Sequence, residues 1–300
     1  MFREESIGKQ VLKQLDKILI MRPLLFYVLV ILFGNPLMWS SCTGQTFPKP
    51  DSTKIYPSDI LPGLNKWYIT LPVDANGNTS AGATNVDNRN TNPLLIKGNA
   101  LINYEYLPYF DVIDSAVVFR APCDGATTTG SKYPRCELRE LVGGGTNYWS
   151  VNDFQFLQAE LKVTHLPEVK PDVCFTQIHA PGHNEPLRMH YNATKGLYFV
   201  ANTTNHYYIK DEVPYSLGQT LLVKVAVQNG TITCFIKNLA NGKQTVRTWK
   251  SDQPTGYFKI GCYTQSSIFL SQFKKEYSED EPMDAYGEVR VLSLNIDETY

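Results

Sequence analysis

Apolar and polar residues alternate with period two from about residue 60 to the end of the chain. That is the pattern of strands with one packed and one open face. The clearest case is Arg135-Cys136-Glu137-Leu138-Arg139-Glu140. In an extended strand Arg135, Glu137 and Arg139 point one way and Cys136 and Leu138 the other. The same reading predicts strands over residues 67–72, 115–121, 135–141, 154–163, 173–179, 187–191 and 197–202, then 220–227, 231–237, 245–250, 257–265 and 288–296. Turn signals separate them: a polar run over 73–92, a Gly- and Thr-rich loop over 124–134, and Gly143-Gly144-Gly145. No amphipathic helix of usable length follows residue 50. Many short strands at this spacing predict an all-β domain, a jelly-roll β-sandwich of two curved antiparallel sheets.

The first sixty residues follow a different pattern. Residues 1–20 are polar and mixed in charge; Met21-Arg22-Pro23 then leads into ten apolar residues over 24–33, ended by Gly34, Asn35 and Pro36. This run is too short for a membrane span, which needs about 20 residues. It fits a signal peptide, with Met21 as an alternative start. Trp39-Ser40-Ser41-Cys42 resembles a bacterial lipoprotein cleavage site, although Trp39 stands where an aliphatic residue is expected. The expectation is an exported chain, either lipid-anchored through Cys42 or fully secreted. The chain therefore divides into a leader over 1–42, a linker over 43–59 and a single domain over 60–300.

Composition narrows the function. The chain has 300 residues, 43% hydrophobic and 19% charged, which is ordinary globular usage. A net charge of -1 gives no global field for a polyanion, so no nucleic-acid partner is expected, and any anionic partner must meet a local cluster of Lys and Arg. Eighteen Tyr and four Trp supply rings that line grooves as well as cores. The six cysteines form no CxxC pair, so no zinc site is supported; buried free thiols and one or two bridges remain equal readings. Asp74, Asn76 and Asn78 lack the spacing and closing Glu of a calcium loop and are read as a turn. The acidic stretch 276–284 is read as a solvated loop, with a lid over a groove as the alternative.

Three separated segments carry chemistry. In the first, Arg135 and Arg139 offer guanidinium forks suited to carboxylates, with Glu137 between them. A solvated face with cross-strand ion pairs accounts for this stretch alone equally well. In the second, Gln177-Ile178-His179, alternation puts Gln177 and His179 on one face, and His suits proton transfer near neutrality. In the third, residues 257–265, one face carries Tyr257, Lys259, Gly261, Tyr263 and Gln265, while Phe258, Ile260 and Cys262 pack inside. Together these groups suit removal of a proton α to a carboxylate. Arg and Gln contacts neutralise the carboxylate, His or Tyr takes the proton, and Tyr protonates the departing glycosidic oxygen. This chemistry calls for no metal and no cofactor.

The three segments, Arg-Cys-Glu-Leu-Arg-Glu, Gln-Ile-His and Tyr-Phe-Lys-Ile-Gly-Cys-Tyr-Thr-Gln, resemble in order the signature motifs of the family 7 alginate lyases. The resemblance runs from about residue 60 to the C-terminus and includes the opening 67–72 and Tyr133-Pro134. Cys136 departs from the Ser or Thr usual there. The resemblance implies a jelly roll with a groove on its concave sheet, and β-elimination cleavage of alginate to 4,5-unsaturated products. It implies that Arg135 and Gln177 neutralise the carboxylate, and that His179 is the base or assists it. Tyr263 is then the acid, and for one epimer also the base. Glu137, Arg139, Lys259, Gln265 and Tyr257 would bind neighbouring sugars. Ile178 is associated in the family with guluronate-containing substrate. The expected partner is the anionic polysaccharide, met by a monomer whose one membrane link is a lipid at Cys42. Two other readings stand beside this one: a non-catalytic sugar-binding module, or a lyase for another polyuronate. Two-carboxylate glycoside hydrolysis is disfavoured, since Glu137 has no evident partner.

Overall fold

The computed structural model describes residues 54–298. The leader, Met21, Cys42 and the linker up to residue 53 lie outside the described residues. Packing begins at Pro57, buried at the start of the one-turn helix α1 (Pro57–Ile60). There follow β1 (Trp67–Thr70), β2 (Leu95–Lys97), β3 (Phe110–Ile113), β4 (Ala116–Pro122), β5 (Arg135–Glu140), β6 (Trp149–Ser150), β7 (Gln155–His165) and β8 (Asp172–Ala180). The chain continues through β9 (Asn184–Asn192), β10 (Gly196–Ala201), β11 (Asn205–Tyr208), β12 (Leu221–Gln228), β13 (Thr231–Asn238), β14 (Gln244–Lys250) and β15 (Thr255–Thr264). A short helix α2 (Leu270–Phe273) precedes the last strand, β16 (Tyr286–Glu298).

Among the described residues these strands form two antiparallel sheets, the layers of a jelly-roll β-sandwich. One runs β11-β10-β9-β8-β15-β5-β1-β2 with β6 against β15; the other runs β14-β13-β12-β7-β16-β4-β3. Alternation sends Ile69, Leu138, Ile178, Phe258 and Ile260 of the first sheet inward, where they join Phe119, Leu157, Val289 and Val291 of the second in one core. All of these are fully buried, and each contributes about 1.5–3 kcal/mol relative to exposure. Every strand predicted from periodicity is present. Four were not predicted: β2, β3, β6 and β11. Three are short, and β11 is exposed at all four positions, so no apolar residue marks its inner face.

Two backbone irregularities shape the outer face of the first sheet. Alternation was expected to run unbroken through 173–179, but β8 carries a β-bulge at Phe175. Cys174 is in register with His190 and Thr176 with Met189, with a register shift between the two pairs. Cys174 shares the outer face with Tyr263, while Phe175 and Thr176 both turn inward; all three are fully buried. The bulge puts Asp172 and Cys174 on the same face as Gln177 and His179. The second irregularity is Gly261, with φ +142°, directly opposite Glu137. A Cβ there would come within 2.6 Å of the Cys136 carbonyl oxygen and 2.9 Å of the Glu137 Cα. No side chain therefore stands beside Glu137 on β15.

The other sequence expectations resolve as follows. Cys123, Cys136, Cys174, Cys234 and Cys262 are buried free thiols. Asp74 closes a turn, its Oδ1 accepting the N–H groups of Asn76 and Asn78 at 2.9 Å each. The acidic stretch is not simply solvated. Glu281 is buried and accepts the backbone N–H groups of Glu168, Val169 and Lys170, so it pins the loop before β8. Gly261→Ala is expected to cost on the order of 3 kcal/mol, because neither β5 nor the positive φ can give way. A urea-unfolding midpoint equal to wild type would contradict that account.

Candidate active site

Antiparallel register places the predicted residues on one outer face. Lys259 lies between Arg139 on β5 and Gln177 on β8; Tyr263 lies between Arg135 and Cys174; Tyr257 faces His179. The segments are far apart in sequence, yet they occupy adjacent strands because β15 pairs with both β5 and β8. Strand β5 is buried along its whole length, so the solvated-face reading of this stretch fails.

Glu137 is the centre of the floor. Its side chain is fully buried and accepts from three strands: Arg135 Nη1 at 3.1 Å, Gln177 Nε2 and Lys259 Nζ. Burial pushes its carboxyl up, but Lys259 and Arg135 outweigh burial and hold it below its usual range. Burial, reinforced by Arg135, brings Lys259 down to about 8 despite the carboxylate. The floor thus carries three cations, Arg135, Arg139 and Lys259, around one carboxylate, and it favours a bound anion. Arg135 and Gln177 both have N–H groups beyond those given to Glu137, available to a substrate carboxylate.

Tyr263 is held by its ring and by its hydroxyl. The Arg135 guanidinium carbon lies 3.9 Å from the ring centroid. The hydroxyl is 3.1 Å from Ser131 Oγ. Ser131 also accepts from Arg135 Nη2 at 3.0 Å and donates to the Tyr133 carbonyl at 2.9 Å. Ser131 Oγ also accepts the Tyr133 N–H at 3.3 Å, and either hydroxyl can donate in its contact with Tyr263. A phenol so placed can serve as a general acid, with the Arg135 guanidinium beside the ring to stabilise the negative charge left when its proton leaves.

His179 is a neutral imidazole. Its Nδ1 donates to the Ala180 carbonyl at 2.8 Å, which leaves the Nε2 lone pair as the acceptor, 3.6 Å from a Glu185 oxygen. Burial, with Lys259 and Arg135 nearby, lowers its pKa to about 3. The ring stacks on Tyr257, centroids 5.3 Å apart. Tyr257 in turn lies 3.8 Å from the Arg139 guanidinium.

Arg139 is enclosed. Tyr68 and Tyr148 lie 5.5 and 5.7 Å from it, and it donates to the Thr146 carbonyl at 3.1 Å. Tyr148 is 41% exposed and offers a ring at the mouth of this end. Gln265 lies beyond the end of β15, and its amide donates to its own backbone at the Tyr263 and Thr264 carbonyls. Its backbone N–H donates to the Asp172 carbonyl at 3.0 Å, which continues the pairing of β15 with β8 by one residue. Sequence reasoning missed Ser131, Tyr68 and Tyr148. Tyr68 was available from the alternation of β1; nothing in the Gly/Thr loop marks Ser131. Glu140 was also missed as a structural group. It is buried on the inner face, where it accepts the Trp149 indole at 2.9 Å and the Phe258 N–H at 2.8 Å. Among the described residues no group of three or more His, Cys, Asp and Glu side chains gathers as metal ligands.

Comparison with known proteins agrees with this geometry. The family model described as alginate lyase matches residues 62–298. Among solved structures, the alginate lyase AlgAT5 from polysaccharide lyase family 7 is 30% identical, covering 82% of this chain and 100% of that one, with a TM-score of 0.65. The alginate lyase from Corynebacterium sp. is 28% identical over 81% of this chain and 98% of that one, TM-score 0.64. One from Klebsiella pneumoniae, 21% identical over 82% and 99%, shares the fold with a TM-score of 0.64. A comparison with curated proteins gives no match.

Two outcomes follow from the buried charges. Glu137→Ala strands Arg135 and Lys259 without their carboxylate and is expected to cost about 3–5 kcal/mol of stability, read from urea unfolding. Loss of less than about 1 kcal/mol would contradict the role assigned to Glu137. Between pH 6.5 and about 3 the unfolded chain binds a proton at His179 that the native chain does not. This contribution to stability is therefore intact above pH 6.5 and declines as pH falls through that window. His179→Asn should flatten that part of the stability–pH curve; an unchanged slope would show that His179 is not held neutral.

Proposed function

The chain belongs to the alginate lyase family, and on that premise we propose how its residues divide the work of cleaving alginate by β-elimination. A uronate carboxylate is met by Arg135 and Gln177. The C5–H bond breaks and its proton goes to His179 Nε2 or, for the other epimer, to Tyr263 acting as the phenolate after its own proton has passed to solvent. The electron pair forms the C4=C5 double bond, the C4–O bond breaks, and the departing oxygen takes a proton from Tyr263. The observation that carries this reading is the Tyr263 ring resting against the Arg135 guanidinium, on the same sheet face as a neutral His179. A sugar-binding module would have no use for that pair.

The low basicity of free His179 fits the same scheme. Burial depresses it most and Lys259 and Arg135 add to this; a substrate carboxylate between the two cations offsets their share. The base gains strength when the anion whose neighbouring proton it removes arrives. Guluronate-containing alginate is the proposed substrate, on the strength of Ile178 in the Gln-Ile-His segment. That side chain is fully buried, so it acts through the backbone position of Gln177 and His179. Export, and lipid attachment at Cys42, are proposed on the leader sequence alone.

Purified protein with alginate should raise the ultraviolet absorbance of the conjugated double bond, faster on guluronate-rich than on mannuronate-rich blocks. Equal rates would remove the preference, and no rise on either would remove the enzyme reading for this chain. Tyr263→Phe should keep polymer binding and lose at least about a hundredfold in kcat. Normal turnover by that variant would mean that the acid is another group.

A further inference from the structure

The outer face does not end at the reacting groups. The register that joins Arg135 to Tyr263 and Cys174 continues to His190 on β9, Tyr198 on β10 and Tyr208 on β11. These partners share one face of the sheet, so they form a line that crosses six strands. From β15 to β11 the line spans four strand spacings, about 19 Å. Its far half is aromatic. His190 stacks on Tyr198 at 4.6 Å and His206 on Tyr208 at 6.0 Å, and Tyr198 and Tyr208 lie 5.4 Å apart with their planes tilted by 37°. The inner rings are fixed from below: Asp172, placed on this face by the bulge, accepts from His190 Nδ1 at 3.0 Å, Asn192 Nδ2 at 3.1 Å and Tyr198 OH at 2.8 Å. The outer ring is open, with Tyr208 51% exposed. Lys195 Nζ lies 5.9 Å from the centre of that ring. A second line, Lys259, Gln177, Arg188, runs beside the first and brings another cation to the face.

We propose that Tyr208, backed by Tyr198 and flanked by Lys195, is a distal sugar-binding platform that holds uronate units of the same alginate chain several positions from the bond being cleaved. The inference rests on the reading of the site as an alginate lyase. The occupant follows from the register shared with the reacting row and from charge; Cys174, His190 and Tyr198 between them are buried, so the contact with sugar is at Tyr208 itself. A ring face packs on the C–H side of a pyranose, and the ammonium beside it meets the carboxylate. Neither group touches the reacting unit. Their contribution is to the affinity of long chains, and short substrates do not draw on it.

Steady-state kinetics on polymer and on the shortest oligomer the wild type cleaves test the proposal. Tyr208→Ala is expected to raise KM for the polymer at least about fivefold, with kcat for the polymer and kcat/KM for the short oligomer changed less than about twofold. Tyr207 is one residue away on the opposite face, stacked on Trp249 at 6.1 Å. Tyr207→Ala perturbs the same edge strand without touching the line and should leave both substrates alone. A smaller shift in polymer KM, equal shifts on the two substrates, or the same effect from Tyr207→Ala overturns the platform. A wild-type protein inactive on every uronate polymer would instead remove the activity on which the inference rests.

Discussion

The site depends on one buried carboxylate. Glu137 sits in the middle of a sheet, out of water, at an effective cost of several kcal/mol for the ion alone. It is tolerable because donors from three strands converge on it: Arg135 beside it on β5, Lys259 on β15 and Gln177 on β8. The same contacts allow two cations to stand side by side without water to screen them. Without the carboxylate, Arg135 and Lys259 would repel each other and the Gln177 amide would lose its anchor. The positions of the groups assigned to the substrate carboxylate are therefore set by a protein carboxylate that the substrate need not touch.

The backbone makes room for this convergence at two places. Gly261 leaves the position opposite Glu137 without a side chain, so Lys259 and Gln177 reach the carboxylate from the same side. The bulge at Phe175 then changes which residues of β8 face outward. Toward Ala180 the outward groups are Gln177 and His179; toward the start of the strand they are Cys174 and Asp172. One strand thus serves two parts of the face, the reacting row and the aromatic line, which an unbroken period of two would not have brought to the same side.

This division explains what was legible in the sequence. Strands with a clean apolar face, such as β5, β12 and β13, announced themselves, and with them the outward positions of Arg135, Glu137, Arg139, Lys259 and Tyr263. The sandwich followed from their number and spacing. What stayed hidden depends on contacts between segments distant in sequence. Ser131 has no local signature, since its role comes from the approach of Tyr263, more than a hundred residues later. Glu281 read as one acid among several in a polar stretch, although three backbone N–H groups from the loop before β8 bury it. β11 carries polar and aromatic residues on both faces, so its alternation conveys nothing until β10 is beside it. The bulge at Phe175 is invisible for the same reason: only its neighbours define the register that it breaks.

The charge balance of the floor also orders events in the reaction. In the free protein the cations exceed the carboxylate, and His179 is held neutral and weakly basic by burial, Lys259 and Arg135. A neutral sugar would leave that balance as it is. A uronate supplies the missing negative charge, and that single charge acts twice. In the proposed reaction it is neutralised by Arg135 and Gln177, which makes the C5 proton easier to remove, and it offsets the two cations that add to the effect of burial on His179. On that proposal the C5–H carbon acid and its acceptor are both brought to strength by the same group, the carboxylate that distinguishes this class of polymer from neutral polysaccharides. Selectivity for uronates then follows, on the same proposal, from the charge of the floor, where Arg135, Arg139 and Lys259 surround the single carboxylate of Glu137.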